Sequence, residues 1–198
     1  METKAISLQN KEAALRQSIR ALGSAALAFS GGVDSALLAY LSSQELGDSF
    51  TAVTIDSPLL LPEDAAECVH FTTTYGISHT MLSMDILANA NFVRNDELRC
   101  YYCKQEIFEI IDKYAGAYGF AHLMDGSNLD DQPSRRPGMQ VLAQRGIRSP
   151  LRENAFTKAE IRALAKKLGL YLWDKQSDSC LATRIPQGTP ITSATLCL

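Results

Sequence analysis

The chain has little of several things. It carries a single tryptophan and three histidines in 198 residues. His70, His79 and His122 are scattered and form no paired zinc-binding spacing, so a histidine-built zinc site is not expected. Basic residues are not in excess. Nineteen Lys and Arg stand against 22 Asp and Glu, a formal net charge of −3, and no Lys/Arg run exceeds two residues. That balance gives no reason to expect nucleic-acid binding. No apolar run approaches the length of a membrane span. Met-Glu-Thr-Lys leads into a charged amphipathic stretch with no signal-peptide apolar region. Cysteine is sparse and odd in number, at five, which excludes a dense disulfide scaffold and points to a reduced, cytoplasmic protein. The length suits one domain, or one domain with an appendage.

What is present is concentrated at residues 25 to 35, Ala-Ala-Leu-Ala-Phe-Ser-Gly-Gly-Val-Asp-Ser. Ala25 to Phe29 is a short apolar run, the pattern of a strand buried on both faces. Ser30-Gly31-Gly32 breaks it. Val33, Ala36, Leu37, Tyr40 and Leu41 then follow helical spacing. Two glycines let the backbone approach a ligand and take positive φ. The free N–H groups of a helix start favour an anion there. Ser30 and Ser35 add hydroxyl donors. Asp34 does not suit an anion site unless a Mg²⁺ beside phosphates takes it as an oxygen ligand. The plainer alternative is an ordinary glycine turn with a serine cap. Five such fixed residues should arise by chance in roughly one chain of this length in several thousand at average usage. The motif is neither a Walker loop, for it lacks Gly-Lys-Ser/Thr, nor a Gly-x-Gly-x-x-Gly dinucleotide fingerprint. It closely resembles the pyrophosphate loop of the PP-loop ATP pyrophosphatases.

Read in order, the chain alternates. Helices are expected at 8–22, 33–45, 62–75, 103–118 and 157–168, with short helices near 85–95 and 139–144. Strands are expected at 25–29, 50–55, 77–84, 120–124 and 147–151. Thr157 with Glu160 makes a capping box. Residues 173–190 show no periodicity and read as a long functional or mobile loop, with Trp173 anchoring its start. Alternation implies a doubly wound parallel sheet, with ligands beyond the carboxyl ends of the strands. Residues 30–35, 56–58, 125–131 and 149–150 should therefore line one crevice.

Asp130 and Asp131 follow the fourth strand and suit Mg²⁺, against the alternative of an Asx-rich turn. Cys100 and Cys103 form one C-x-x-C with no second half for a zinc site. Packing at a helix start is an equal reading of the pair. Cys180 lies in the long loop with Arg184 four residues on. A nearby cation would lower its pKa and make it a nucleophile, and Arg184 could instead bind a substrate phosphate. Cys68 and Cys197 are read as non-functional.

Together these segments resemble the LarE family of ATP-dependent sacrificial sulfur transferases, PP-loop proteins of the adenine nucleotide alpha hydrolase-like fold. The resemblance spans roughly residues 10 to 192. It rests on Ser-Gly-Gly-Val-Asp-Ser at 30–35, Arg-Cys-Tyr-Tyr-Cys-Lys at 99–104 and Asp-Gly-Ser-Asn-Leu-Asp-Asp at 125–131. Arg-Pro-Gly at 136–138, Ser-Pro-Leu at 149–151 and Cys-Leu-Ala-Thr-Arg-Ile-Pro at 180–186 complete it. It implies adenylylation of a carboxylate of a pyridinium dicarboxylate mononucleotide, attack by a cysteine thiolate, and Cβ–S cleavage that leaves sulfur on the substrate and dehydroalanine in the protein. The product serves a nickel-pincer cofactor. It further implies Cys180, Asp34 and Arg184 as catalytic residues. ATP would be held by Phe29, Ser30, Gly31, Gly32, Asp34, Ser35, Asp56, Ser57, Gly126, Asp131 and Arg136, with Mg²⁺ on Asp34 and Asp131. Some members instead carry an iron–sulfur cluster on three cysteines. A homo-oligomer is expected, with neither nucleic acid nor membrane as partner. Family chains run further than Leu198. Residues 1–169 therefore read as the nucleotide-binding domain, and 170–198 as a loop and the start of a truncated sulfur-transfer region. Gln187-Gly188 stands where the family usually has Tyr-Gly. Two rival readings remain: another PP-loop enzyme, a tRNA thiolase or amide-forming synthetase, and an inactive truncated nucleotide-binding module.

Overall fold

Small side chains set the geometry at the centre of the molecule. The structure, a computed structural model, describes residues 7–131, 138–176 and 180–196. Helix α1 (Leu8–Arg20) is capped by Ser7, whose hydroxyl accepts from the Asn10 amide at 3.2 Å. Strand β1 (Ala25–Ala28) follows, then α2 (Val33–Leu46), β2 (Phe50–Asp56), α3 (Pro62–Thr74) and β3 (His79–Ser83). Next come α4 (Ala90–Val93), α5 (Arg99–Tyr118), β4 (His122–Met124), α6 (Gly138–Gln144), α7 (Pro150–Glu153) and α8 (Lys158–Lys167). The four strands lie in the order β3-β2-β1-β4, and every pairing is parallel. β1 is interior, with Ala25 opposite both Phe50 and His122.

Alternate residues of β1 serve opposite faces, as the pleat requires. Ala25 and Leu27 pack with Leu15, Leu37, Phe71 and Ile161 from α1, α2, α3 and α8. Ala26 faces Phe108, Ile111 and Val141 from α5 and α6. The sheet is thus wound on both sides, and its alanines let α2 and α5 approach closely. α2 is buried along most of its length, including Val33, Ala36, Leu37, Leu38, Ala39 and Leu41, as expected for a helix inside an α/β domain rather than on its surface.

Three expectations change. Residues 147–151 do not form a fifth strand. Only a single parallel bridge joins Arg148 to Met124, and the chain turns at once into α7 with Pro150 in its first turn. Proline lacks the N–H a ladder needs and suits a helix start. The second change is at 173–190, which is not simply an irregular loop. Tyr171–Asp174 and Leu181–Arg184 form 3₁₀ turns. Ala182, Ile185 and Ile191 are buried with Met84, Ile86 and Phe92 in a satellite core. Trp173 does pack against the main core, and Lys166 lies 4.2 Å over its ring. α5 begins at Arg99, a turn earlier than the apolar pattern suggests, so Cys100 and Cys103 both lie on it.

Candidate functional site

The loop after β1 is shaped by two close contacts. Gly31 has φ +70°, and a Cβ built on it would stand 2.8 Å from the Cys68 sulfur of α3. Gly32 is the N-cap of α2 and supplies no side-chain cap to the first amides of that helix. Inside the turn, Ser35 Oγ donates to the Gly32 carbonyl at 3.0 Å and lies 3.3 Å from Ser30 Oγ. A cavity of about 740 Å³ opens over this turn at the carboxyl end of the sheet. Gly31→Ala should therefore weaken AMP binding about 10²-fold, the scale of an ångström-size misplacement. Adding Cys68→Ala removes the clash but not the left-handed strain, so affinity should return only in part. Calorimetric titration of both variants with AMP checks this.

Charged groups ring the turn. Asp34, at the start of α2, is held by Lys158 from α8, with Nζ 2.7 Å from Oδ2. Its other oxygen, Oδ1, is buried and has no hydrogen-bond partner among the described residues. Burial lifts the Asp34 carboxyl above its ordinary value, and the Lys158 hydrogen bond pulls against that rise. The Lys158 amide donates to Asp130 at 2.7 Å, and Asp131 Oδ2 accepts from the Asn128 amide at 3.0 Å. Both aspartates line the cavity. Deeper in, the buried Asp125 carboxylate accepts from Ser127 N at 3.2 Å, Ser149 Oγ at 2.6 Å and Lys104 Nζ at 3.2 Å. At the other rim, Lys175 reaches Asp64 of α3 at 3.2 Å.

The cysteine segment is fastened from α4 and α5. Asn95, with φ 56°, donates to the carbonyls of Pro186 and Thr189 at 2.9 and 2.8 Å. Arg99 donates to Asn95 Oδ1 at 2.7 Å and to the Ala182 carbonyl at 2.8 Å. Cys180 sits just before this anchored turn and lines the cavity. Although the residue is exposed, the protein around its thiol displaces water and raises its pKa. The Ala182 backbone amide and the charge of Arg99 pull against that rise. Burial drives Cys103 further, to about 12, with the neighbouring Cys180 and Cys100 adding to the rise.

The cavity thus gathers Phe29, Ser30, Gly32, Asp34, Ser35, Gly126, Asp131, Cys180 and Arg184, all singled out from sequence. Gly31 supports the turn from behind. Gly126 has its own reason to lack a Cβ, which would meet the Ser35 amide nitrogen at 3.0 Å. Asp56 and Ser57 are not among the lining residues. The Asp56 carbonyl accepts from Met84 N at 2.8 Å, and Ser57 Oγ accepts from Leu59 N at 3.3 Å. Arg136 lies outside the described residues. Sequence reasoning missed Lys158, Lys175 and Asn95. The capping box at Thr157 marks where α8 starts and so hints at Lys158, but nothing local marks the other two. Among the described residues, no group of three or more His, Cys, Asp or Glu side chains is placed to hold a metal ion. Nor is any helix there long and apolar enough to cross a membrane.

A glycine turn between an interior parallel strand and a buried helix, opening on a cleft lined by hydroxyls, lysines and aspartates, defines the PP-loop adenine nucleotide alpha hydrolase fold. Solved structures agree on that fold. The NH3-dependent NAD synthetase of Campylobacter jejuni superposes with a TM-score of 0.62 at 17% identity, covering 88% of this chain and 80% of that one. The NMN synthetase of Francisella tularensis gives 0.66 at 16% identity, covering 87% and 76%. No family model matches the chain. Among curated proteins, an uncharacterised protein of Synechocystis is 40% identical over 93% of this chain and 69% of its own length. The pyridinium-3,5-bisthiocarboxylic acid mononucleotide synthase of Lactiplantibacillus plantarum is 32% identical over 94% of this chain and 68% of its own length. The chain belongs to the LarE family of such synthases.

Proposed function

We propose that this protein is an ATP-dependent sulfur transferase acting on a pyridinium dicarboxylate mononucleotide in nickel-pincer cofactor synthesis. The observation that carries the reading is the convergence of the phosphate turn and Cys180 on one cavity. A nucleotide-binding module alone gives no reason for a thiol there. The rival PP-loop chemistries are less favoured, because the sequence carries a formal net charge of −3 and no Lys/Arg run above two residues to suit tRNA.

The first step joins a substrate carboxylate oxygen to the α-phosphorus of ATP and releases pyrophosphate. The turn amides, Ser30 and Ser35 hold the phosphates, with Lys158 adding a cation beside them. Mg²⁺ fits this donor set, because Asp34 Oδ1 is a buried oxygen with no hydrogen-bond partner among the described residues. Asp34 and Asp131 would hold it, with phosphate oxygens and water completing its shell. When bound, it neutralises charge building on the leaving pyrophosphate. In the second step the Cys180 thiolate attacks the acyl carbon, the bond from that carbon to the AMP phosphate oxygen breaks, and AMP leaves, so that the Cβ-linked sulfur is held in a thioester. Loss of the Cys180 α-proton then breaks the Cβ–S bond, leaving a thiocarboxylate and dehydroalanine. Arg184, exposed at the cavity rim, is suited to the substrate's phosphate. Cys100 and Cys180 both add to the rise at Cys103, and Cys100 adds to the rise at Cys180. The three are not placed as a metal-holding group among the described residues, so no iron–sulfur step is derived. Residues 1–169 would act as the nucleotide domain and those from 170 on as the sulfur-transfer region.

The test is single-turnover incubation with ATP, Mg²⁺ and the pyridinium dicarboxylate mononucleotide. Pyrophosphate should appear, and the Cys180 peptide should lose about 34 Da, one H₂S equivalent from elimination at a nucleophilic cysteine. Pyrophosphate release without any mass loss would leave the adenylylating step and refute the sulfur transfer.

A further inference from the structure

Lys175 belongs to no motif singled out from sequence, yet several elements converge on it. Its backbone is pinned from α8. Arg162 Nη2 donates to the Lys175 carbonyl at 2.8 Å, and Nη1 donates to the Trp173 carbonyl at 3.3 Å. The Lys175 amide donates to the Leu172 carbonyl at 3.1 Å. Its Cα is therefore fixed while the ammonium rests on Asp64 Oδ1 at 3.2 Å, with side-chain exposures of 23% and 29%. Such a partly exposed pair holds weakly, and a lysine has enough rotamer freedom to leave it.

The place where it rests is informative. Asp64 is one helical turn before Cys68 on α3, so the two share a face. Cys68 is the residue pressed against Gly31. The charges of Lys175 and Asp64 both reach the Cys68 thiol. Lys175 therefore stands on the Gly31 side of the phosphate turn, whereas Lys158 stands on the Asp34 side. Both lysines line the cavity, and each is held by a carboxylate.

We infer that Lys175 is a specificity-determining residue that leaves Asp64 for the phosphates beyond the α position, so that it reads ATP and pyrophosphate but not AMP. Arg162 is its positioning residue. The inference rests on the phosphate-binding reading of the turn given above. A single phosphate is served by the turn's own amides and hydroxyls. The two further phosphates bring charge that the turn does not match, and a charge-assisted bond to them is stronger than a half-solvated pair with Asp64.

The experiment is calorimetric titration of the protein with magnesium pyrophosphate and, separately, with AMP. Lys175→Ala should weaken pyrophosphate binding about tenfold or more, as expected for loss of a hydrogen bond to a charged group. AMP affinity should hold within about twofold, which also shows that the variant is folded. Lys175→Arg should retain most pyrophosphate affinity, and Arg162→Gln should lose part of it while sparing AMP. Undiminished pyrophosphate binding in Lys175→Ala, or an equal loss for both ligands, would overturn the inference and leave the phosphate site standing. A wild-type protein that binds neither ligand would remove the phosphate-binding reading itself.

Discussion

Cys180→Ala should abolish sulfur transfer, a loss of about 10³-fold or more as for other covalent nucleophiles, while ATP-dependent pyrophosphate release persists. The split follows from position. Cys180 opens the turn fastened by Arg99 and Asn95, a segment separate from the strand, glycine turn and helix at 25–46. Removing its sulfur leaves Ser30, Asp34, Ser35 and Lys158 in place. Cys100→Ala and Cys103→Ala are the controls. Cys103 is a poor nucleophile candidate, because its thiol is pushed up to about 12 and stays protonated at neutral pH. Cys180 is also raised, so its thiolate fraction at neutral pH is below that of a free cysteine. Alkylation of Cys180 by iodoacetamide should accordingly be slow near pH 7 and keep rising above the pH at which a free cysteine levels off. Bound substrate has to supply the remaining activation. Sulfur transfer that survives in Cys180→Ala would reject its assignment, whatever the pyrophosphate assay shows.

Asp34→Ala should eliminate Mg²⁺-dependent pyrophosphate release, by about 10³-fold or more, because metal-borne charge stabilisation in phosphoryl chemistry amounts to several kcal/mol. The fold should survive. Asp34 lies at the first turn of α2, and the side chain it releases, Lys158, is 28% exposed and can turn to water. Asp34→Asn is the sharper variant. It keeps the shape and one acceptor oxygen, and it replaces the other oxygen and the charge with a neutral NH₂ donor. If release falls as far in Asn as in Ala, the carboxylate acts through its charge. Release unchanged in either variant would remove Asp34 from the reaction. Thermal melts of both variants, with AMP titration, separate a catalytic loss from an unfolded chain.

The strand, turn and helix at 25–46 are fixed by local chemistry, and the sequence alone determines them. Four small or apolar residues make β1, two glycines permit the turn, and apolar residues at helical spacing bury α2. The parallel order also follows locally, since alternating strands and helices with right-handed crossovers leave few other arrangements. The capping box at Thr157 and the Asp-rich turn at 125–131 are legible for the same reason: each is complete within a few residues.

What the tertiary structure decides is everything that depends on distant partners. The apolar residues at 147–151 look like a strand, and only Pro150 and a single bridge to Met124 reveal a helix start. The aperiodic stretch 173–190 looks unconstrained, yet its residues 182–189 are held by Asn95 and Arg99, more than eighty residues earlier in the chain. Cys68 looks inert in the middle of a helix, and folding makes its sulfur the wall behind Gly31. Lys158 and Lys175 carry no motif, because a lysine's role is set by which carboxylate and which cavity its flexible stem reaches. The sequence by itself determined that a glycine turn sits at the end of a central strand. Only the packing of α3, α5 and α8 decided which charges and which thiol face it, since those contacts join residues that are far apart in the chain.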